Sequence, residues 1–286
     1  MAEAVAGRAR RAPIVVEPAH GLAGPQLGAL WEYRELLFFL AWREIKVRYK
    51  QTLLGMLWIV LQPVISVLVF SVLFGGLLGV PSAGVPYPIF ACAALLPWNF
   101  FSAAVSRGAQ SLVSNAHLIT KVYFPRLIVP ISGVLSGVVD FVVSCAVLGV
   151  LMIAYQVPVT WAVLWLPVFL LLAFLTALGF SLWLAALNVR YRDINYVVPF
   201  LLQTWMFLTP VIYGRALVPE SMRFLLELNP MTGVVEGFRW ALLAGTMTGA
   251  QAPGAALAVS VAITLVVLLG GVVFFRTAER TFADIV

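Results

Sequence analysis

Six long apolar segments constrain what this chain can fold into more than any other feature of its sequence. A helix that crosses a membrane needs about 20 predominantly apolar residues, and each segment reaches or approaches that length. Because lipid offers no hydrogen bonds to an exposed backbone, such segments fold as helices within a bilayer. The segments cover roughly residues 53–79, 88–106, 128–155, 161–187, 195–213 and 254–275. The sequence therefore predicts an all-α integral membrane protein with six transmembrane helices.

The composition excludes a water-soluble domain. Hydrophobic residues make up 62% of the chain and charged residues only 10%, whereas a soluble domain is about a quarter charged. The two cysteines, Cys92 and Cys145, lie inside apolar segments, so they predict neither a disulfide framework nor a metal site.

The distribution of positive charge predicts how the chain is oriented. Cytosolic loops of membrane proteins carry an excess of Lys and Arg. With the N-terminus in the cytosol, all but three of the 18 Lys and Arg residues lie on the cytosolic side, the exceptions being Arg215, Arg223 and Arg239. We therefore expect both termini in the cytosol. The net charge of +6 is expected to serve topology and contact with anionic lipids, not nucleic-acid binding.

A basic stretch, "WREIKVRYK", directly precedes the first apolar segment. At helical spacing one face of residues 33–50 is apolar, and the cations beside it are Arg43, Lys46, Arg48 and Lys50. This pattern is typical of a helix in the cytosolic membrane interface. Two interpretations remain open: an anchor that only sets orientation, or a helix that also contacts a cytosolic protein. Residues 1–28, rich in Ala, Gly and Pro, are predicted to form a flexible cytosolic tail with no assigned role.

Residues 214–250 are too long and too apolar for an ordinary external loop. "MRFLLEL" and "GVVEGFRWALLAG" are each too short to cross a membrane, and Asn229–Pro230 separates them. They predict a re-entrant pair of helices before the last span, although a helix resting on the lipid surface is the alternative. The charged residues of the region are expected at the water boundary: Arg215, Arg223, Arg239, Glu220, Glu227 and Glu236.

The connection from Arg107 to Arg126 is the longest cytosolic one between spans. Its short amphipathic core contains Leu112, Val113, Leu118 and Ile119, which favours a short helix across the cytosolic face that binds a partner. The alternative is a plain connector.

Motifs of catalysis are missing from the chain. No glycine-rich loop precedes any of the three lysines, and the two histidines, His20 and His117, do not form a metal-ligand pattern. We expect no catalytic residue, no metal site and no cofactor in this chain.

Asp140 is the one acid inside a predicted span. It belongs to a polar stripe with Ser132, Ser136 and Ser144, next to Gly133 and Gly137. A charge there costs a few kcal/mol, so intramembrane acids often mark function. The stripe predicts either the wall of a polar conduit or gate, or a helix–helix contact in which Asp140 is protonated or hydrogen-bonded.

Aromatic residues gather near the predicted outer ends of the spans. Most are expected to form an interfacial belt, but some could face a passage in which rings stack on sugars. The candidate channel or gate residues, in addition to Asp140 and Ser136, are Trp98, Phe101, Tyr213, Phe238 and Trp240.

Five short motifs occur in one order along residues 30–276: "WREIKVRYKQTLLGMLWIVLQP", "NAHLITKVYFPRLIVP", "NVRYRDI", "FLTPVIY" and "LNPMTGVVEGFR". Together they resemble the ABC-2 type permeases that export O-antigen, capsule and teichoic acid across the bacterial inner membrane. The resemblance implies one transmembrane domain over residues 29–286, a homodimer, and two separate subunits that bind ATP and Mg and hydrolyse the ATP.

The resemblance also implies a role for particular residues. Residues 33–50 become the interface helix, and Ser111 to Thr120 become the coupling helix that contacts the ATPase. The turn from Arg190 to Ile194 becomes a second contact, and the re-entrant pair caps the channel. The implied coupling residues are Ser111, Asn115, His117, Leu118, Lys121, Arg190, Arg192 and Asp193.

The leading hypothesis is therefore the permease subunit of an ATP-driven exporter of a lipid-linked polysaccharide. An ABC-2 exporter of a drug or another lipophilic small molecule is the first alternative. A membrane enzyme that acts on lipid-linked sugars through carboxylates of residues 214–250 is the second, and a stand-alone channel is the third.

Overall fold

A computed structural model describes residues 27–50, 57–280 and 282. Within these residues all regular secondary structure is helical, which confirms the predicted all-α class. The N-terminal tail predicted for residues 1–28 lies outside the described residues, except that its last two residues begin α1 (Leu27–Glu32). The predicted interface helix follows as α2 (Arg34–Lys50).

Among the described residues, five helical segments are long and apolar enough to cross a membrane. The first joins α3 (Leu57–Phe70) to a π-helical turn, Ser71–Leu77. The third segment, Ile128–Ala154, is interrupted at one residue, Ser136. The fourth segment, Trp161–Arg190, begins with a 3-10 turn, Trp161–Trp165. The helices of the other four segments are α4 (Tyr87–Ser114), α6 (Ile128–Leu135) with α7 (Gly137–Ala154), α8 (Leu166–Arg190) and α12 (Gly254–Glu279), while α5 (Ala116–Lys121) links α4 to α6.

The segment expected over residues 195–213 forms a shorter helix, α9 (Ile194–Leu208). Its 15 residues extend about 22 Å at 1.5 Å per residue, less than the ~30 Å of a hydrocarbon core. The helix ends because Thr209 is extended (φ −103°, ψ 140°) and Pro210 follows it. Five crossings are thus supported by length, and the sixth stays a prediction.

The α4 helix is the centre of the bundle. In its most apolar stretch 78% of the residues are buried, and it packs against α6, α7, α8 and α9. It continues to Ser114, whereas the sequence suggested that this span ends near residue 106. Gly108, Ala109 and Leu112 explain the difference, because they present a small, apolar surface that is buried inside the protein. Residues 107–114 therefore belong to a transmembrane helix and not to a connection.

A separate hydrophobic cluster forms one end of the bundle, which we call the α2 end. It joins Leu40 of α2, Leu112 of α4 and Ile119 of α5 to the last turns of α8 and α12. The basic residues of α2, of α5 and of the turn after α8 consequently lie at the same end, as the charge distribution predicts.

The region predicted to be re-entrant contains two short turns and two helices, α10 (Arg223–Glu227) and α11 (Pro230–Leu243). The α11 helix starts at Asn229, whose side chain accepts a hydrogen bond from the Met231 amide (3.0 Å). Gly233 and Gly237 allow it to approach α12 and Phe169 of α8, and nearly all of its residues are buried. The helix is therefore part of the protein interior, while its depth in a membrane stays a prediction.

Candidate functional site

Asp140 lies at the centre of a charged cluster between α2, α4 and α7. Its Oδ2 accepts hydrogen bonds from Arg48 Nη1 (2.8 Å) and Arg107 Nη1 (3.0 Å), and its Oδ1 accepts one from the Tyr49 hydroxyl. We call these four residues the Asp140 cluster. Asp140 is thus hydrogen-bonded within a helix–helix contact, and it also borders a cavity, so both interpretations of the polar stripe stay open.

The serines of the stripe are satisfied within their own helices. Ser132 donates to the Val129 carbonyl (2.8 Å), Ser136 to the Gly133 carbonyl (2.8 Å) and Ser144 to the Asp140 carbonyl (2.9 Å). Polar residues at four-residue spacing are therefore compatible with a packed helix. Asp140 is the member of the stripe that forms ion pairs.

Glu44 of α2 lies beside the Asp140 cluster, and the sequence analysis did not predict a role for it. Burial raises the pKa of its carboxyl group, while the nearby Ser136 hydroxyl and the charges of Arg107, Arg48 and Arg43 oppose that shift. Its position four residues after the buried Leu40 is the signal that could have identified it, because residues four apart share a helix face.

Two glycines make room for the cluster. A Cβ atom at Gly133 would lie 3.4 Å from the Arg107 backbone, and one at Gly137 would overlap the Arg107 Nη2 atom. The small-residue pair predicted from the sequence thus lets α6 and α7 approach α4, and it gives the Arg107 guanidinium the space it needs to reach Asp140.

We expect Gly137→Ala to destabilise the protein by about 1–3 kcal/mol, because the added methyl group displaces the end of the half-buried Arg107 side chain, which pairs with Asp140. The measurement is thermal unfolding of the detergent-purified chain. Gly149→Ala is the matched control in the same helix, since no atom lies within 4 Å of its Cβ position, and it is expected to leave stability unchanged or slightly higher. Equal behaviour of the two variants would show that Gly137 has no packing role.

The Asp140 cluster lines a cavity of about 560 Å³ between α3, α4 and α7. Arg48, Arg107 and Asp140 are its charged residues, and Trp58, Phe100 and Phe141 contribute aromatic rings. We call it the α3–α4–α7 cavity. Charge and aromatic surface together at one site are the features expected of a binding site for an amphipathic molecule.

A second space of about 720 Å³ opens between α2 and the α4–α5 junction, and we call it the α2–α5 groove. The Arg43 side chain donates a hydrogen bond to the Asn115 side chain and so joins α2 to this junction. Lys46 and Lys50 are exposed outside the groove. The groove brings together the first five predicted coupling residues: Ser111, Asn115, His117, Leu118 and Lys121.

These five residues differ in how accessible they are. Ser111 and Asn115 are buried, and Asn115 Nδ2 donates to the Ser111 carbonyl (2.8 Å), so both stabilise the bend between α4 and α5. His117 and Lys121 are exposed and Leu118 is half-buried. Only the last three can contact a partner directly.

The predicted second contact is an exposed turn between α8 and α9 that includes Arg190, Arg192 and Asp193. Asn188 fixes this turn, because its Nδ2 donates to the Ala109 carbonyl of α4 and to the Asn195 side chain, both at 2.9 Å. The turn consequently lies beside the last turns of α4, at the same end as the α2–α5 groove.

Four of the candidate channel residues lie inside the protein core. Trp98 and Phe101 pack with Trp205, and Phe238 packs between aromatic rings of α7 and α8. The side chains of these three residues and of Ser136 are almost completely buried, so they do not line an open passage within this chain. Tyr213 and Trp240 are half-buried, and Asp140 is the candidate that borders the cavity.

Arg239 differs most from its predicted location. Only 4% of it is exposed, although the sequence suggested a position at the water boundary. Its Nη1 donates to the carbonyls of Pro210 (2.6 Å) and Tyr213 (3.1 Å), its Nη2 donates to that of Val211, and its guanidinium lies over the Phe90 ring. Burial is possible because the irregular "TPVIY" segment presents carbonyls that no helix uses. Arg215 remains at the surface, where it forms ion pairs with Glu227 and Glu236.

Comparison with known proteins assigns the chain to a family. A family model described as ABC-2 type transporter matches residues 35–243. The chain is 36% identical over 259 residues to the O-antigen export system permease protein RfbA of Myxococcus xanthus, covering 89% of this chain and 96% of that protein.

Two more distant relatives agree with this match. A Klebsiella pneumoniae protein of the same name is 26% identical over 214 residues, covering 74% of this chain and 82% of that protein. The polysialic acid transport protein KpsM of Escherichia coli is 24% identical over 252 residues, with coverage of 83% and 91%. The family match spans α2 to α11 and the Myxococcus relative aligns along nearly the whole chain, so this protein belongs to the ABC-2 type transporter family.

Proposed function

We propose that the chain is the membrane permease subunit of an ATP-driven exporter that moves a lipid-linked polysaccharide out across the bacterial inner membrane. The observation that carries this proposal is the 36% identity over 89% of the chain to an O-antigen export permease. The relative that transports polysialic acid supports a glycopolymer as the substrate class. The chain's own role is transport and not catalysis.

The proposal assigns ATP hydrolysis to two partner subunits, which bind ATP and Mg, and pairs this chain with a second copy of itself. The α2–α5 groove supports the ATPase contact, because it combines a short exposed helix with the cations of α2. His117, Leu118 and Lys121 would contact the partner from α5, and Arg190, Arg192 and Asp193 from the neighbouring turn. The α2 end then faces the cytosol together with both termini, in agreement with the excess of Lys and Arg there.

The test of this function is deletion of the gene in its native host, with complementation from a plasmid. We expect the deletion to abolish the surface polysaccharide while the lipid-linked polymer accumulates inside the cell. In parallel, mild-detergent purification of the tagged chain is expected to recover an ATP-hydrolysing subunit in equal amount. Unchanged surface polysaccharide together with lost tolerance of a drug would favour an exporter of lipophilic small molecules instead.

Leu118→Glu and His117→Asp are expected to lower export roughly tenfold while the complex still hydrolyses ATP, because a new charge in the contact weakens coupling between the two subunits. The measurement is export per ATP hydrolysed in reconstituted vesicles. Val159→Glu is the control, since Val159 is exposed in the connection at the opposite end of α7. Coupled export at the normal rate in both α5 variants would remove α5 from the ATPase contact.

A further inference from the structure

The α3–α4–α7 cavity is lined by a guanidinium group that has hydrogen-bond donors without a partner. Asp140 accepts from Arg48, Arg107 and Tyr49, so each of its oxygens already has a partner. The Nε and Nη2 atoms of Arg107 are buried and have no hydrogen-bond partner among the described residues. Buried donors are rarely left unpaired in proteins, and an unpaired guanidinium nitrogen is costly.

The cavity also contains more positive than negative charge. Arg48 and Arg107 line it, whereas Asp140 is the one acid among the described residues that line it. Glu44 is a second carboxylate close to both guanidiniums, and it lines the α2–α5 groove, which Arg48 and Arg107 also line. The Arg107 nitrogen atoms without a partner are therefore the donors that an anion from outside the chain can satisfy.

The remaining walls indicate an anion attached to an apolar body. Trp58, Ile59 and Pro63 of α3 form one apolar side, and Phe100 and Phe141 form another. The α3 segment is the least buried of the five long helices, with 6% of its most apolar stretch covered by the rest of the protein. A hydrocarbon chain can therefore continue from the cavity along α3. Gln62 and Asn99 add amide groups that can bind phosphate or sugar oxygens.

We propose that the α3–α4–α7 cavity binds the phosphate headgroup of a lipid, with Arg107 and Arg48 as the phosphate ligands and α3 as the support for the hydrocarbon chain. Guanidinium groups suit phosphate because their planar donors pair with two of its oxygens at once. This proposal deepens the proposed function, on which it rests, since a lipid-linked polysaccharide carries a phosphate between lipid and sugar. The phosphate of an ordinary phospholipid has the same chemistry, so the experiment separates the two sources.

The experiment is native mass spectrometry of the purified full-length chain with farnesyl diphosphate, phosphatidylglycerol or farnesol. We expect farnesyl diphosphate to bind, farnesol to bind poorly, and Arg107→Gln to weaken farnesyl diphosphate binding about tenfold or more. Arg48→Gln is also expected to weaken farnesyl diphosphate binding. It tests the proposal if Arg107→Gln does not fold. Arg34→Gln is the control, because Arg34 is an exposed cation of the same helix α2 that does not line the cavity.

Each outcome supports or overturns the proposal. Phosphatidylglycerol binding with the same dependence on Arg107 and Arg48 supports a phosphate site and assigns it to bilayer lipid. No binding of either phosphate lipid, equal binding of farnesol, or equal losses in Arg34→Gln overturns it. The assay needs neither ATPase nor export. Intact export without phosphate-lipid binding therefore contradicts this site alone, whereas intact binding without polysaccharide export contradicts the proposed function alone.

Discussion

Arg239→Gln is expected to destabilise the protein by about 3–5 kcal/mol, the typical cost of breaking up a buried charged group and its partners. The guanidinium holds the carbonyls of Pro210, Val211 and Tyr213 in a segment that follows the end of α9. Glutamine has a single amide and cannot reach all three. Arg239→Lys is expected to be nearly as harmful, because an ammonium lacks the planar fork of donors. The measurement is the melting temperature and the yield of monodisperse protein in detergent.

The matched control is Arg223→Gln in the same region. Arg223 pairs with Glu220, of which the side chain is 89% exposed, so this substitution is expected to change stability by less than about 1 kcal/mol. Equal stability of the Arg239 and Arg223 variants would mean that the segment after α9 keeps its conformation without the guanidinium.

Most helices of this protein could be predicted from sequence because they depend on local properties, whereas the length of α9 and the end of α4 could not. An apolar segment of sufficient length must satisfy its own backbone in lipid, so its position follows from composition alone. The amphipathic face of α2 and the break at Asn229–Pro230 are also local, and the structure has helices in both places. The five motifs added the family, which no single helix reveals.

The charged contacts could not be predicted because they depend on residues far apart in the chain. Arg48 and Asp140 are 92 positions apart, and Arg239 and Pro210 are 29 apart. Arg107 follows a long apolar segment, so its neighbouring sequence predicts the start of a cytosolic connection. Only the packing of α4 against Gly133 and Gly137 shows that it is a helical residue inside the protein. For the same reason the buried positions of Trp98, Phe101 and Phe238 were not evident from their aromatic character.

Asp140→Asn is expected to destabilise the chain by about 2–3 kcal/mol, at or below the lower limit for a broken buried ion pair, because the cluster is partly exposed. The side chains of Arg48, Arg107 and Asp140 are 32%, 19% and 28% exposed. Asparagine keeps a hydrogen-bond acceptor but removes the negative charge, so two neighbouring guanidiniums lose the carboxylate that pairs with both of them. If Asp140 were protonated in an uncharged helix contact, asparagine would replace it with little loss of stability. The measurement is again thermal unfolding.

A double-mutant cycle distinguishes charge balance from simple packing. Arg48→Gln combined with Asp140→Asn removes one cation together with the anion, so we expect the pair to be more stable than the sum of the single effects predicts. Additive losses would show that Asp140 and Arg48 stabilise the protein independently of each other. Because Arg107 keeps its charge in the double variant, a remaining loss of stability measures what Asp140 contributes to that second, more deeply buried guanidinium.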